Sequence, residues 1–260
     1  MTNPTPPRLG PTTLDRLPAA IRRPAYDRAR LTPGILHLGV GAFHRCHQAE
    51  YTDDALEADF GPWGILGVNL RAPDLSTSLG AQGGYYCREL REGEQVERRL
   101  IGSMVETISV PGANDASHAA TLERALAAAS RASIGVVTLT VTEKGYCHIP
   151  ATGELDLDHP DIRHDIANPS APSSVPGFVL RMLARRLGAG TPLPALISCD
   201  NVPDNGSTLR RSVLGLARAI DPALGDRLAR EACFLNTMVD RIVPATRPED
   251  IDGFASQTGV

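Results

Sequence analysis

Apolar residues in this chain gather in short runs, separated by longer stretches with apolar residues on one side and punctuated by glycine and proline. Residues 35–40 read as a strand. Residues 45–56 read as a helix whose imperfect apolar face carries Ala49, Tyr51, Thr52, Ala55 and Leu56. Phe60-Gly61-Pro62 stops that helix, and residues 63–70 follow as a second buried strand. Strand, glycine turn, helix and strand thus fit within about 35 residues, the extent of one βαβ unit. Residues 85–90 and 95–101 flank Arg91-Glu92-Gly93-Glu94 and predict a hairpin or an antiparallel excursion.

The alanine- and leucine-rich stretch 117–130 predicts a helix, and residues 134–141, β-branched almost throughout, a central strand. Glycine and proline then dominate residues 148–176, which read as a long surface excursion or a loop over a site. A helix over 174–187 with Pro176 in its first turn, a strand over 193–199 and helices over 208–220 and 222–234 complete the series. Residues 251–260 show no closing element. This alternation points to a parallel α/β sheet.

Composition narrows the class. With 260 residues, 42% hydrophobic and 22% charged, the chain can bury a sizeable core in one large domain or two smaller ones. A formal charge of -4 speaks against a dedicated nucleic-acid surface. The apolar runs fall short of the roughly 20 residues needed to span a bilayer, so no membrane partner is expected. Five scattered cysteines without a C-x-x-C pair indicate neither a zinc knuckle nor a disulfide framework, and a reducing cytoplasm fits them. The first ten residues carry three prolines and no apolar helix, unlike a secretory signal, and read as a loose arm.

The segment richest in chemistry follows the first strand. Gly39 would permit a tight turn and Gly41 a close approach of backbone to a pyrophosphate. Amides around Ala42, Phe43 and Arg45 would then face the phosphates, with the Arg45 side chain as added positive charge. His44 stands where the full G-x-G-x-x-G pattern has its third glycine, and a turn that merely allows tight strand–helix packing would use the same glycines. His44 and His47 share a helix face, but with no third ligand nearby they read as polar or packing residues. The second strand ends near Asn69, where an acidic side chain usually holds the ribose of NAD. Here Val68-Asn69-Leu70-Arg71 offers an arginine that suits NADP or simply faces solvent, so the choice of coenzyme stays open.

Two further stretches sit where ligands bind in open α/β sheets, at strand carboxyl ends, and a polar-rimmed apolar segment follows the last helix. In Thr140-Val141-Thr142-Glu143-Lys144-Gly145-Tyr146 the glutamate and lysine could orient a substrate or form a surface ion pair. Asn201, in Cys199-Asp200-Asn201, could offer its amide to a carbonyl or alkoxide oxygen, or cap the next element through an Asx turn. Asp240, in Asn236-Thr237-Met238-Val239-Asp240-Arg241-Ile242, could pair with Arg241 or polarise part of an active site.

Taken together, Gly34 to Arg45 with His47-Gln48, Trp63-Gly64-Ile65, Thr140 to Tyr146, Cys199-Asp200-Asn201 with Asn205-Gly206, and Asn236 to Ile242 resemble the polyol-specific long-chain dehydrogenase/reductase family. That family includes mannitol 2-dehydrogenase and fructuronate reductase. The resemblance implies a Rossmann-like domain with a predominantly parallel sheet and additional strands, binding NAD or NADP. It implies interconversion of a secondary alcohol of a polyol or aldonate with the ketose or keto-uronate. Gly39, Gly41 and Phe43 would belong to the coenzyme loop, Asn201 would polarise the substrate oxygen, and Asp240 would support the active-site hydrogen-bond network. No catalytic metal is implied.

Members of the family run to nearly twice this length, with a helical C-terminal domain that supplies a lysine base. The expected organisation is therefore an arm over 1–32, a coenzyme domain over 33–250 and a connection over 251–260 towards that helical domain. A separate C-terminal half or a homo-oligomer is the partner expected. Lys144 belongs to a different motif from that base. The competing reading is a non-catalytic interaction or regulatory protein that keeps the same scaffold.

Overall fold

Apolar runs in the first third of the chain form strands buried on both sides. In a computed structural model describing residues 7–71, 73–239, 243–244 and 246–260, β1 (Pro33–Leu38) turns through Gly39 to Gly41 into α1 (Ala42–Arg45) and α2 (Gln48–Ala58), and β2 (Gly64–Asn69) follows. β3 (Tyr86–Glu92) and β4 (Gln95–Ile101) make the expected antiparallel hairpin, and β5 (Met104–Ser109) comes directly after it. The second half runs α3 (His118–Ala129), β6 (Val136–Leu139), α4 (Pro160–Ala167), α5 (Val175–Gly188) and β7 (Ala195–Ser198). It ends with α6 (Asn205–Ile220), α7 (Pro222–Glu231), β8 (Cys233–Leu235) and α8 (Pro248–Thr258).

Six strands form one sheet in the order β5-β2-β1-β6-β7-β8, and every neighbouring pair is parallel. Leu36, Leu38, Leu66 and Val68 face a large apolar layer that includes Leu126, Phe178, Met182 and Val213. Ile35, Ile65 and Met104 pack with Ala49, Tyr86 and Ile101 in a second layer. Helices cover both faces of the central strands, which is why β1 and β2 read as continuous apolar runs rather than alternating ones.

Several elements depart from the pattern reading, each for a physical reason. The helix expected over 45–56 begins earlier and breaks at Cys46 and His47, where Tyr86 donates its hydroxyl to the Arg45 carbonyl at 2.6 Å. β5 escaped the pattern because it is the edge strand, with Val105, Glu106 and Thr107 only half-buried. Helix α4 lies inside the supposed excursion over 148–176. It is short, starts at Pro160 and buries Ile162 and Asp165. The single helix expected over 222–234 is α7 followed by β8, which pairs with β7. Residues 251–260, read as lacking a closing element, lie largely in α8; Phe254 and Val260 pack there with Leu9, Leu17, Ile21 and Leu100. In the arm, Arg28 donates to the carbonyls of Gly83, Gly102 and Met104, tying it to the hairpin and the start of β5. Among the described residues no helix is long and apolar enough to cross a membrane.

The imperfect apolar face of α2 has a matching cause. Its inner side is acidic because the hairpin presents arginines to it. Arg99, 1% exposed, lies 3.4 Å from Asp53 and 2.5 Å from Asp54, while Arg88 pairs with buried Glu50 and, at 2.9 Å, with Glu97. Asp53 also accepts the Tyr26 hydroxyl at 2.5 Å and the Gly102 amide at 3.2 Å. Removing one partner of a buried ion pair strands the other charge. Arg99→Ala should therefore lower stability by about 3 kcal/mol at neutral pH, read from urea denaturation. Burial already raises the Asp53 carboxyl above its ordinary value, so the loss should shrink at acidic pH, where that carboxyl can protonate. A loss below about 1 kcal/mol would mean that Arg99 contributes no more than a surface pair.

Candidate functional site

β1 and β6 are neighbours whose chains leave the sheet in opposite directions, one back to β2 and the other on to β7. Such a switch point opens a crevice at the carboxyl ends of the strands. The crevice here measures about 510 Å³ and is bordered by Gly39, Gly41, Asn69, Arg71, Thr142 and Lys144, with Cys147, His159 and Asp161 along its outer wall. Its size falls within the roughly 300–1,000 Å³ of small-molecule sites.

The two glycines do different work. Gly39 has φ +91, and a Cβ there would lie 2.2 Å from the Thr140 carbonyl oxygen, so the protein itself demands glycine. Gly41 is extended, and among the described residues a Cβ there would meet only the Gly39 carbonyl at 3.9 Å. Because it borders the crevice, its missing side chain leaves room for a ligand rather than for protein. Gly41 is also the N-cap of α1 and provides no side-chain cap, which leaves the first amides of that turn without intrahelical partners.

The expected coenzyme residues divide accordingly. Gly39, Gly41, Asn69 and Arg71 border the crevice. Ala42, Phe43 and Arg45 form α1 behind the loop, with the Phe43 ring stacked on His47 at 4.7 Å and Arg45 Nε donating to the Gly41 carbonyl at 3.2 Å. Asn69 accepts the Val40 amide at 2.7 Å and donates to the Pro73 carbonyl at 3.0 Å, so its carboxamide braces the glycine loop. Arg71 pairs with Asp161 from α4. Lys144, the only lysine in the chain, is exposed on the opposite wall.

Asn201 is exposed on the turn after β7, and Asp240 lies outside the described residues. The segment leading to Asp240 is tied down: Thr237 donates its hydroxyl to the Ser198 carbonyl at 2.6 Å, and Asn205 donates to the carbonyls of Asp200 and Thr237 at 2.9 and 3.0 Å.

Asp200 organises this end of the sheet, and sequence reasoning passed it over in favour of its neighbour Asn201. Its carboxylate accepts the Val141 and Thr142 amides at 3.0 and 2.8 Å and the Tyr146 hydroxyl at 2.6 Å. Thr142 has φ 64 and ψ 164, a region that only glycine enters without strain. The two amide bonds hold it there. Burial, reinforced by Asp200, keeps the Tyr146 hydroxyl well above its ordinary pKa and therefore a fixed donor. An aspartate placed directly before a candidate catalytic asparagine was the available signal.

Beneath the glycine loop, buried His37 lies 2.7 Å from Thr138 Oγ1 and 2.9 Å from Thr140 Oγ1, and its ring stacks on buried His44 with centroids 3.5 Å apart. Burial lowers His37 to about 3. Burial and the neighbouring His37 and Arg45 lower His44 well below its ordinary value. Both rings are neutral packing groups. Sequence spacing also missed a grouping of Cys147 Sγ, a His159 ring nitrogen and an Asp161 oxygen, all within 4.8 Å of one another. Those groups are engaged otherwise. Asp161 pairs with Arg71, His159 Nδ1 accepts the Asp161 amide at 3.2 Å, and burial raises the Cys147 thiol to about 11.

Strand order, glycine turn and crevice define a Rossmann-type α/β domain. The family profile described as the mannitol dehydrogenase Rossmann domain matches residues 33–258, and the chain belongs to that family. It is 42% identical over 245 residues to D-mannonate oxidoreductase of Escherichia coli (strain K12), covering 92% of this chain and 49% of the relative. It is 41% identical over 234 residues to mannitol 2-dehydrogenase of Cereibacter sphaeroides, covering 89% and 47%. Among solved structures, the Pseudomonas fluorescens mannitol 2-dehydrogenase ternary complex with NAD and D-mannitol superposes with a TM-score of 0.88 at 35% identity, covering 96% of this chain and 50% of that one. The chain thus spans about half the length of the curated relatives it matches.

Two outcomes test this geometry. Asp200→Asn exchanges one acceptor oxygen for an amide donor facing backbone N–H groups. It should cost about 2 kcal/mol of stability, and adding Thr142→Gly, which relieves the strained φ, should restore part of it. No recovery in urea melts would show that the Thr142 conformation is not the strained point.

The second outcome concerns pH. Unfolded, both imidazoles titrate near about 6.5; folded, both resist protonation to far lower pH. The unfolded state then binds more protons below that value. The histidine contribution is intact above about pH 6.5 and declines as pH falls, by up to about 1.4 kcal/mol per pH unit for each ring. Urea midpoints should be level above neutrality and drop towards pH 5, and His44→Phe, which keeps a stacked ring, should remove about half of the slope. An unchanged slope in that variant would contradict a neutral, buried His44.

Proposed function

We propose that this chain is the coenzyme-binding portion of an NAD(P)-dependent oxidoreductase that interconverts a secondary alcohol of a polyol or aldonate with the corresponding ketose or keto-uronate. The observation that carries the reading is Gly41. It borders the crevice at the switch point, needs no glycine for the protein's own sake, and leaves open the space that a pyrophosphate would fill. The residues fit a dinucleotide: uncapped amides at the start of α1, the Asn69-braced loop, and Arg71 and Lys144 as cations on the two walls. The similarity to the Pseudomonas fluorescens enzyme, whose ternary complex is with NAD and D-mannitol, supports the same assignment.

When bound, NAD or NADP would supply the hydride acceptor or donor. Asn201, at the carboxyl end of β7, donates its amide to the substrate oxygen, where negative charge develops. Asp240 supports the surrounding hydrogen bonds. The proton acceptor belongs to a second portion of the protein, for which the relatives' length leaves room, supplied within a longer chain, by a separate polypeptide or by an oligomer. A reducing, cytoplasmic setting is part of this reading, supported by five cysteines that form no disulfide.

The test is direct. The chain should bind NADH or NADPH saturably, and Gly41→Val should weaken binding at least tenfold while the thermal melt stays within a few degrees. Because Lys144 is the only lysine, an amine-acylating reagent should modify the protein at Lys144 and the N-terminus alone, and coenzyme should protect Lys144. Folded protein that binds neither nucleotide would overturn the reading and favour a regulatory scaffold.

A further inference from the structure

The end of β2 poses a chemical question. In a Rossmann-type site an acidic side chain there accepts the ribose hydroxyls of NAD, or an arginine accommodates the 2′-phosphate of NADP. β2 ends here in Asn69, whose carboxamide is used on Val40 and Pro73, and the next polar side chain is Arg71. The carboxylate missing from β2 arrives from elsewhere. Asp161, ninety residues further along the chain in the first turn of α4, pairs with the Arg71 guanidinium at the same crevice wall.

We propose that this ion pair sets coenzyme preference, with Asp161 selecting NAD over NADP. The inference rests on the coenzyme reading above. Asp161 is the anchored partner. Its side chain is 26% exposed against 70% for Arg71, its amide donates to His159 Nδ1, and the N-terminus of α4 favours a negative charge there. Arg71 lines the crevice with its charge already neutralised by that pair. A ribose 2′-hydroxyl can donate to the Asp161 carboxylate without disturbing the pair. A 2′-phosphate gains only if Arg71 abandons Asp161, and it then lies beside an uncompensated carboxylate. That like-charge contact is a device against the wrong coenzyme. The pair also explains why the β2 end looks suited to NADP in sequence: its arginine is visible there and the arginine's partner is not.

The experiment measures dissociation constants for NADH and NADPH by nicotinamide fluorescence, using the whole chain. The wild type should prefer NADH at least tenfold. Asp161→Asn and Asp161→Ser, both compatible with a helix start, should cut that preference at least tenfold, chiefly by tighter NADPH binding. Adding Arg71→Gln to either should take back the gain. Arg71→Gln alone, at an exposed position that does not threaten folding, should sharpen the preference for NADH, because Asp161 then faces the phosphate unpaired. A wild type that prefers NADPH, or an unchanged ratio in the Asp161 variants or in Arg71→Gln while NADH still binds, would overturn the proposal. Folded wild type that binds neither nucleotide would instead remove the coenzyme reading on which it rests.

Discussion

The site depends on the contact where β1 and β6 leave the sheet. A Cβ on Gly39 would lie 2.2 Å from the Thr140 carbonyl oxygen, so the two strand ends touch backbone to backbone. Thr140 strengthens the seam by donating its hydroxyl to the Gly39 carbonyl at 2.7 Å, and His37 sits against it from below. With the strands closed at that point, the chains beyond them must diverge. Val40 and Gly41 turn towards α1, and Val141 and Thr142 turn the other way. The crevice is the space between two loops that share one tight origin, and an extra methyl group at Gly39 would force that origin apart.

Most polar side chains around the crevice shape it rather than face what it holds. Asn69 fixes Val40, Asp200 fixes Val141 and Thr142, Tyr146 fixes Asp200, and Asn205 joins Asp200 to Thr237. Asn69, Asp200 and Asn205 each use a buried side chain to satisfy backbone groups in loops that have no ladder of their own, which is where an unpaired amide would be costly, and Tyr146 in turn bonds the Asp200 carboxylate. Motifs that resemble a list of catalytic candidates in sequence are therefore largely scaffolding for the turns. The groups left to meet the proposed coenzyme and substrate are fewer: the loop amides, the Arg71–Asp161 pair, Lys144 and Asn201.

This division explains what could be read from the chain. The glycine turn, β1, β2, β6 and the hairpin were legible because their signals are local: apolar runs, β-branched residues and a Glu-Gly turn. β5 was not, because an edge strand exposes one side and loses the apolar pattern. Helix α4 was hidden by Pro160 and Asp161, which serve as its start. Asn201 drew notice for its amide, whereas the organising group is Asp200, whose partners lie 54 to 59 residues away in sequence and consist mostly of backbone. In sequence Asn69 occupies the position where a ribose-binding acid usually stands. Its use as a brace shows only when the loop is folded against it. Long-range pairing, such as Arg71 with Asp161, leaves no trace in local spacing.

Asp200 also bears on how two reactants would be kept in register. Its carboxylate holds Thr142 at the border of the crevice, while its own backbone leads directly into Asn201. Its carbonyl is held in turn by Asn205, which is bonded to Thr237 on the segment approaching Asp240. One residue thus connects the wall of the coenzyme crevice to the asparagine proposed to hold the substrate oxygen. Hydride transfer demands that donor and acceptor carbons approach within roughly 3–3.5 Å, and independent motion of the two walls would defeat it. Tying both to a single buried residue makes their separation a property of the sheet end rather than of two flexible loops. It also assigns a purpose to the strain at Thr142: the loop is pulled out of its relaxed conformation to meet a group whose position is already fixed by β7.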